Sequence, residues 1–514
     1  MEISVLQDNL LSIKTSTPEI ITEVIDRSKQ VSEEEVWVYF GIGETHVLNN
    51  MKLPNVPSPI RTQYKYPGMY KPFNHQRTTA EFLTLNKRAY CFNDLGSGKT
   101  NSVIWAADYL LSLGAIHRVL VICPLSIMDA AWRRDLFKTV MHRSVDIAHG
   151  DREKRAKIIK GGAEFIIINY DGVGTVEKEI AQGGFDLVVL DEATFIKTAT
   201  INRWKVINRI IKPNTWLWML TGTPAAQSPV DAYGLAKMMN PASVPRAFNA
   251  FRDMVQVRQT IHTYTNRPNA VNIVHKILQP AIRFTKEECL DLPELLYQTR
   301  EVPLSIQQAK YYKRLKNEML IEAAGEEISA ANAAVAMNKL LQLSSGCAYS
   351  DTGEVIEFDI KGRTDELLDI VSEASHKVIV FVMFRHTIEV VQESLTDAGY
   401  SVAVIHGGVP VRKRAEIFND FQTKDDPKVL VIQPQAASHG VTLHAANLIV
   451  WWGITLSLET YKQANARIHR AGQINPCTVV HLVGSAVEKK VLHVLENKGV
   501  SQTRLLDLYK EVLK

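Results

Sequence analysis

Cysteine is scarce in this sequence: the 514 residues include only five, Cys91, Cys123, Cys289, Cys347 and Cys477. Their number is odd, they are widely spaced and no two form a Cys-x-x-Cys pair, which argues against a disulfide framework and a zinc finger. Long apolar runs are missing too, since no stretch approaches the roughly 18 apolar residues of a membrane span, and Met-Glu-Ile-Ser begins no signal peptide. We expect reduced thiols and an intracellular, soluble protein.

An excess of charge of one sign is also absent. Lys plus Arg number 59 and Asp plus Glu 55, so the formal net charge is only +4. A polyanion would therefore be held by locally placed basic groups rather than by the net field of the protein. The content of 46% hydrophobic and 22% charged residues is that of a globular protein. At ~150 residues per domain, the length predicts about three domains.

Short apolar runs recur between segments with helical periodicity, in two sets. This alternation is typical of α/β domains, in which helices cover a parallel sheet. The first set of predicted strands comprises Arg88 to Phe92, Val119 to Cys123, Glu164 to Asn169, Leu187 to Leu190 and Trp216 to Leu220. The second set comprises Lys377 to Val382, Ser401 to Ile405, Val429 to Ile432, Asn447 to Trp451 and Cys477 to Leu482. Two α/β domains are predicted.

Helical signals dominate the region between these sets, as in Ser305 to Ala324 and Ala330 to Leu343. The first seventy residues differ from the rest. Thr17-Pro18-Glu19 is a favourable start for a helix over Ile20 to Lys29, and Glu35 to Phe40 reads as a strand. We assign this segment a small accessory role.

A glycine-rich loop lies between the first predicted strand and a helix-patterned segment, Asn101 to Leu113. The loop reads Asn93-Asp94-Leu95-Gly96-Ser97-Gly98-Lys99-Thr100. Gly96 and Gly98 allow the backbone N–H groups to face a triphosphate, Lys99 reaches the β and γ oxygens, and the Thr100 hydroxyl ligates Mg²⁺. The full P-loop pattern has Gly where this chain has Asn93. A chance Gly-Lys-Thr in a surface turn is the alternative.

Two carboxylates follow the apolar run Leu187 to Leu190, in the sequence Asp191-Glu192-Ala193-Thr194. Ligands bind at the carboxyl ends of strands in α/β sheets. Asp191 can hold the magnesium shell, and Glu192 can orient and deprotonate the attacking water. On its own, such a pair is more often a solvated helix start. Together with Lys99, it is a far more specific signal for phosphoryl transfer.

The Asp-Glu-Ala-Thr sequence resembles the Asp-Glu-Ala-His box of superfamily 2 helicases, and further motifs of that family follow in order. Phe73-Asn74-His75-Gln76 resembles the Q motif, in which the amide of Gln76 reads adenine. Val121 to Ser126 with Trp132 resembles motif Ia, and Leu220-Thr221-Gly222-Thr223-Pro224 resembles motif III. Ser438-His439-Gly440-Val441-Thr442-Leu443 resembles motif V. Thr194, in place of His, departs from the family pattern.

The stretch Gln463-Ala464-Asn465-Ala466-Arg467-Ile468-His469-Arg470-Ala471-Gly472-Gln473 resembles motif VI of the SWI/SNF-like branch. Arg467 and Arg470 are three residues apart, so both can project from one side of a helix toward a phosphate, as an arginine-finger pair requires. The compact chain is most similar to members carried by bacteriophages. Trp452-Gly453 departs from the acidic residue that many relatives have there.

The resemblance implies a fold of two RecA-like P-loop lobes with helical insertions. The organisation that we predict is a small N-terminal segment (1–70), an ATP-binding lobe (71–230), its helical part and linker (231–300), the helical part of the second lobe (301–360), the C-terminal lobe (361–500) and a C-terminal helix (501–514). ATP and Mg²⁺ are the implied substrate and metal. The implied nucleotide-binding residues are Gln76, Asp94, Gly96, Ser97, Gly98, Lys99, Thr100, Gly440 and Gln463.

DNA is the implied partner, bound through its phosphate backbone, because the sequence has no zinc finger, basic zipper or other base-reading module. The candidate contacts are Pro124, Ser126, Lys197, Thr221, Gly222, Thr223 and Thr442. We expect a monomeric DNA-dependent ATPase that translocates on duplex DNA, located in a bacterial or phage-infected cytoplasm, with no membrane association. A strand-separating DNA or RNA helicase and a nucleotide-gated DNA-binding scaffold are the alternatives.

Overall fold

The computed structural model describes residues 1–7, 9–222, 224–225, 228–259, 263–289, 292–323, 330–349, 355–437, 442–470 and 472–496. Internal contacts divide the chain into two units. The first comprises Met1–Pro224, Tyr233–Val244 and His275–Cys289, and the second comprises Ala225–Ala232, Pro245–Val274 and Leu290–Lys514. The predicted C-terminal helix, 501–514, lies outside the described residues. No helix in the described part of the chain is both long enough and apolar enough to cross a membrane.

The N-terminal segment folds as a small α/β domain within the first unit. Its elements are β1 (Glu2–Gln7), β2 (Leu10–Lys14), α1 (Pro18–Val24), β3 (Ser28–Gln30), β4 (Glu35–Tyr39), α2 (Ile42–Asn50) and α3 (Pro59–Gln63). The strands form an antiparallel sheet of order β1-β2-β4-β3. Alternating residues such as Leu11, Ile13, Val36 and Val38 are buried in its core. The predicted helix over Ile20 to Lys29 is therefore wrong at its end, because the chain leaves α1 at Val24 and enters β3.

The body of the first unit is a second, larger sheet with helices. Its elements up to Met239 are α4 (Asn74–Leu85), β5 (Arg88–Cys91), α5 (Lys99–Ser112), β6 (Val119–Cys123), α6 (Arg134–Thr139), β7 (Val145–Ile147), α7 (Arg152–Lys160), β8 (Phe165–Asn169), α8 (Tyr170–Val173), α9 (Glu177–Gln182), β9 (Leu187–Asp191), α10 (Asn202–Ile210), β10 (Trp216–Leu220) and α11 (Ala232–Met239). The seventh strand of this sheet in the sequence is β13 (Ala281–Ile282). All seven strands are parallel, in the order β13-β5-β10-β9-β6-β8-β7. The predicted parallel sheet is confirmed.

The stretch predicted to be helical, 231–300, also contains strands. Its remaining elements are α12 (Phe248–Val255), β11 (Gln256–Arg258), β12 (Tyr264–Asn266), α13 (Ala270–Ile277) and α14 (Lys286–Cys289). β11 and β12 form an antiparallel hairpin. β13 adds to the first sheet beside β5.

The second unit contains a six-stranded parallel sheet of order β14-β21-β20-β17-β19-β18. Its elements from Leu295 onward are β14 (Leu295–Glu301), α15 (Ile306–Ala323), α16 (Ala330–Ser345), β15 (Cys347–Tyr349), β16 (Val355–Glu357), α17 (Lys361–Glu373), β17 (Lys377–Phe381), α18 (Arg385–Asp397), β18 (Val402–Ile405), α19 (Val411–Thr423), β19 (Val429–Ile432), α20 (Pro434–Ala437), β20 (Ala446–Trp451), α21 (Leu458–Asn465), β21 (Cys477–Val483) and α22 (Ala486–Glu496). Two apolar clusters pack on opposite faces of this sheet. The second predicted α/β domain is confirmed.

Candidate functional site

The glycine-rich loop joins the end of β5 to the start of α5 as predicted. Gly96 and Gly98 have φ angles of +85° and +77°, a conformation that favours glycine. A Cβ atom at Gly98 would lie 2.0 Å from Nε2 of Gln76, so a side chain there would displace the Gln76 amide. The loop therefore keeps its curled conformation, and its N–H groups lie at the N-terminus of a 14-residue helix.

Lys99 and Thr100 begin that helix, next to the loop. Nζ of Lys99 donates to the main-chain oxygens of Asn93 and Asp94, at 2.7 and 3.1 Å, which places the ammonium group over the loop. The hydroxyl of Ser97 is buried and has no hydrogen-bond partner. A positive helix terminus, a lysine and an unsatisfied hydroxyl fit an anion such as the phosphate chain of a nucleotide.

Asn93, which replaces the glycine of the full pattern, anchors the loop to two other elements. Its buried side chain donates from Nδ2 to Oγ1 of Thr79 on α4, at 2.8 Å. Its Oδ1 accepts from the N–H of Phe284, just after β13, at 3.0 Å. The departure from the pattern is therefore structural, because glycine could form neither bond.

Gln76 lies in the first turn of α4 against the same loop. Its Oε1 accepts from the N–H of Phe73 at 2.9 Å, and its Nε2 lies 3.3 and 3.5 Å from the oxygens of Ser97 and Gly98. His75 also reaches the Ser97 oxygen, at 2.8 Å. In this structure, the Gln76 amide supports the loop, and its role in reading adenine stays a prediction.

The acidic pair lies on the same edge of the sheet as the loop. Across three neighbouring strands, Cys91 of β5 and Asp191 of β9 both pair with Leu220 of β10, so these strands end in one row. The charge of Lys99 acts on both Cys91 and Asp191. The structure thus brings Lys99 and Asp191 into one electrostatic site, although 92 residues separate them in the sequence.

The carboxylate of Asp191 has two donors. The indole N–H of Trp132 donates to Oδ2 at 2.8 Å, and the N–H of Glu192 donates to Oδ1 at 3.0 Å. Burial raises the pKa of Asp191, while the bond from Trp132, the charge of Lys99 and the Glu192 N–H act in the opposite direction. Tyr170 donates its hydroxyl proton to the main-chain oxygen of Asp191 at 2.9 Å. Two donors therefore orient the carboxylate, and a third hydrogen bond holds the main chain of Asp191.

Glu192 has a left-handed backbone, with a φ of +53° and a ψ of +55°. A non-glycine residue in that region costs on the order of 1–3 kcal/mol, and such residues cluster at functional sites. The turn that follows, Ala193–Ile196, is a 3₁₀ helix that starts with a bond from the N–H of Phe195 to the oxygen of Glu192, at 3.1 Å. Thr194, in the usual place of His, lies within this turn.

Trp132 belongs to a short π-helical segment, Met128–Arg133, which follows the 3₁₀ turn Leu125–Ile127 after β6. Its side chain is buried in the core of the first unit. π-helical turns are frequent at functional sites, and the bond from Trp132 to Asp191 makes this residue part of the site. The motif resemblance included Trp132 but predicted no role for it.

The predicted DNA contacts in the first unit lie after β6, β9 and β10. Pro124 is buried, and the Ser126 hydroxyl is a buried group without a hydrogen-bond partner. Lys197 is half-buried, and its main-chain oxygen accepts from the N–H of Gly234 at 3.1 Å. Thr221 is buried, and its N–H donates to the Cys91 oxygen at 3.1 Å. Gly222 faces Leu95 of the glycine-rich loop, which we also call the nucleotide loop.

Three predicted positions fall at the edge of what can be described. Thr223 and Gly440 lie outside the described residues, as do the other residues of 438–441 and Ala471. Thr442 is half-buried, just after that gap. Among the residues that the structure describes, no group of three or more His, Cys, Asp or Glu side chains could hold a metal ion. Thr100 and Asp191 therefore fit Mg²⁺ only as a partial shell that phosphate oxygens and water would complete.

The prediction that Arg467 and Arg470 project from one side of a helix is wrong. The helix α21 ends at Asn465, and both arginines lie in the turns that follow. Arg467 is 5% exposed, whereas Arg470 is half-buried. Burial of His444 lowers its pKa, and the nearby charge of Arg470 lowers this pKa further. Gln463 is buried on α21, where its Nε2 donates to Glu459 at 3.2 Å. The three-residue spacing was compatible with a helix, but the helix ends before it.

The Gly-Gln that ends the motif fixes these turns. Nε2 of Gln473 contacts the oxygens of His444, Ala446 and Ile468, at 3.3, 2.9 and 3.2 Å. Its Oε1 accepts from the N–H groups of Ile474 and Asn475. A single buried amide therefore holds the turn with Arg467 and Arg470 against the start of β20.

Trp452-Gly453 also has a structural explanation. The indole of Trp452 donates to the Ser345 oxygen at 2.9 Å, and a Cβ at Gly453 would lie 2.6 Å from Oγ of Ser345. The Trp452 oxygen accepts from Arg363, which forms a buried ion pair with Glu488. This departure from the family pattern thus supports the core of the second unit.

Known proteins resemble this chain along most of its length. An ATP-dependent helicase of Mycoplasma genitalium is 25% identical over 79% of this chain and 39% of its own length. A chromodomain-helicase-DNA-binding protein 1-like of Danio rerio is 25% identical over 81% of this chain and 41% of its own. This chain therefore spans about two fifths of the length of these two relatives.

The alignments with a shorter relative and with a solved structure cover most of both chains. Protein p41 of Acyrthosiphon pisum secondary endosymbiont phage 1 is 24% identical over 87% of this chain and 99% of its own. The Sulfolobus solfataricus SWI2/SNF2 ATPase core in complex with dsDNA aligns with 87% of this chain and 95% of its own, at 20% identity and a TM-score of 0.42.

Two domain families match most of the chain that forms the two parallel sheets. Residues 75–351 match the SNF2-related domain, and residues 362–472 match the helicase conserved C-terminal domain. The first match alone spans more than half of the chain. With two parallel sheets flanked by helices, and a second match to the helicase conserved C-terminal domain, the chain belongs to the SNF2-related domain family.

Proposed function

We propose that this protein is a DNA-dependent ATPase that couples ATP hydrolysis to translocation on double-stranded DNA. The observation that supports this most is the row in which β5, β10 and β9 end together. It joins the nucleotide loop to Asp191, and Trp132 then joins Asp191 to the segment after β6, which carries two of the proposed DNA contacts.

In the proposed reaction, the loop N–H groups and Lys99 bind the phosphates of ATP. Thr100 and Asp191 would hold Mg²⁺, which neutralises charge on the phosphate oxygens when it is bound. Glu192 orients the attacking water and accepts its proton, since phosphoryl transfer depends on positioning and charge stabilisation. Arg467 and Arg470 complete the transition state from the second lobe.

Movement would follow from nucleotide-dependent changes in the affinity of the two lobes for each other. A ligand shifts such an equilibrium only by its differential affinity for the two states. The γ-phosphate supplies that difference, because only in the closed state do Lys99 and the two arginines stabilise its charge together. Pro124, Ser126, Lys197, Thr221, Gly222, Thr223 and Thr442 are the proposed DNA-contacting positions.

The stimulation of ATPase activity by different polymers tests this function. We expect duplex DNA to stimulate hydrolysis more than single-stranded DNA or RNA does. Lys99→Ala is the control, because it removes a phosphate contact without removing core packing, so it should abolish turnover at an unchanged melting temperature. Stronger stimulation by single strands would favour a strand-separating helicase, and the absence of any turnover with every polymer would favour a nucleotide-gated scaffold.

A further inference from the structure

Acidic residues are nearly absent from one stretch of this chain. From residue 232 to residue 286, the sequence has a single acidic residue, Asp253, but eight lysines and arginines. The formal charge of this stretch is therefore +7, compared with +4 for the whole chain, so the remaining residues are net negative. Soluble proteins usually intersperse both signs of charge, and a field of one sign is typical of surfaces that attract a polyanion.

The middle of this stretch is a compact helix and hairpin, which we call the basic hairpin and define as residues 245–259 and 263–267. α12 leads directly into β11, which pairs with β12 so that Arg258 lies opposite Tyr264. Gln256 anchors the hairpin, because its buried Nε2 lies 3.0 Å from both Oγ of Ser228 and Oδ1 of Asn266. The basic side chains are thus carried by an ordered scaffold.

Local contacts hold two of its arginines, Arg252 and Arg267. The guanidinium carbon of Arg252 lies 4.4 Å from the centre of the Tyr264 ring, and its Nη2 donates to Asn249 at 3.0 Å. Nε of Arg267 donates to the main-chain oxygen of Asp253 at 2.8 Å. The only acidic residue of the hairpin therefore supports Arg267 through its backbone.

Three arginines of the basic hairpin are solvent-exposed: Arg246, Arg258 and Arg267. Arginine binds phosphate through a planar fork of N–H donors and is weakly hydrated, so exposed arginines on a rigid element suit the phosphodiester backbone. The exposed Phe248 and Met254 would suit a protein partner instead. Because the basic hairpin itself carries four arginines and a single acidic residue, a polyanion is the better match.

We propose that the basic hairpin is a DNA-binding surface that contacts phosphates independently of sequence, separate from the helicase motifs. The inference rests on the proposed function, since it needs DNA as the partner. Each phosphate contact that releases a counterion adds about 0.9 to the dependence of log affinity on log salt concentration. Three exposed arginines therefore predict a contribution of about 2.7 to that slope.

The test compares the full chain with a variant in which Arg246, Arg258 and Arg267 are changed to Gln. Fluorescence anisotropy with a labelled random-sequence duplex measures the dissociation constant at salt concentrations from about 50 to about 200 mM. We expect the slope of the variant to be lower by about 2.7. Over that salt range, the affinity of the wild type should therefore fall by a factor about 40 times larger than the affinity of the variant does.

Two matched variants separate charge from other effects. Changing the same three arginines to Lys keeps the charge and should keep the slope. Changing Lys154, Lys157 and Lys160 of α7 to Gln removes three exposed cations elsewhere and should leave the slope unchanged. ATP binding and thermal melting should be equal in all variants, and Arg258→Glu alone provides a second test if the triple variant folds poorly.

An unchanged slope in the Gln variant would overturn the proposal and favour a protein partner for this surface. An equal loss of slope in the α7 variant would overturn it as well, because the effect would then be that of net charge. Wild-type protein that neither binds duplex DNA nor is stimulated by it would contradict the proposed function itself. If duplex DNA stimulates the ATPase activity of the wild type and the salt slope of the Gln variant is unchanged, only the proposed role of the basic hairpin would be contradicted.

Discussion

Trp132→Phe removes the indole donor from Asp191 while keeping an aromatic ring in the core. The lost bond joins Nε1 of Trp132 to Oδ2 of a carboxylate at 2.8 Å, and a hydrogen bond to a charged group contributes about 1.5–3 kcal/mol. Removing the partner that orients a metal ligand typically costs about 10–100-fold in metal affinity or activity. We expect the Mg²⁺ concentration for half-maximal ATP hydrolysis to rise by about that factor.

Trp218→Phe is the matched control. Trp218 is fully buried in the same apolar cluster, and its indole donates to the main-chain oxygen of Asn86 at 3.1 Å, away from the acidic pair. Both variants lose a buried indole, so both should lower the melting temperature. Only Trp132→Phe should raise the Mg²⁺ requirement, which titrations of hydrolysis and of fluorescent ATP-analogue binding both measure. An equal rise in both variants, or no rise in Trp132→Phe, would refute the role of this bond.

Three further outcomes are expected. Glu192→Gln should still bind ATP but lose turnover, because the amide keeps the size of the side chain without its basicity; lost ATP affinity in a nucleotide-binding assay would argue against this role. Arg470→Ala should reduce DNA-stimulated hydrolysis by about 10³-fold while retaining salt-sensitive DNA binding, and a change of only a few-fold in steady-state rates would contradict a transition-state role. Burial lowers the pKa of His481 from 6.5 to about 4. As the pH falls through that window, the unfolded chain binds a proton at this residue before the folded chain does, so the free energy of unfolding should decrease by about 3 kcal/mol. His481→Gln should remove this pH dependence in denaturant titrations, and an equally steep decrease in the variant would assign it to other groups.

The central strands could be predicted from sequence because they are buried on both faces. β6, β8, β10 and β19 have every residue buried, so each appears as an unbroken apolar run whose limits agree with the structure to within one residue. β14 could not be recognised in this way. It lies at the edge of its sheet, and six of its seven residues are exposed.

The chemistry of the nucleotide loop and the acidic pair could also be predicted, because each is a short run of residues after a strand. The bonds that support them connect distant parts of the chain. Trp132 is 59 residues from Asp191, and Asn93 is 191 residues from Phe284. No local pattern encodes such pairs. The end of α21 was missed for a related reason, since the tertiary contacts of Gln473, rather than helix propensity, determine the path of the chain around Arg467.

Displacement of a third strand from a DNA triplex tests the coupling of hydrolysis to movement most directly. A translocase that tracks along the duplex should release the third strand in an ATP-dependent manner without separating the two duplex strands. The account predicts release by the wild type with ATP, and none with a non-hydrolysable analogue or by Glu192→Gln. DNA-stimulated ATP hydrolysis by the wild type at full rate, with the triplex left intact, would contradict translocation on double-stranded DNA.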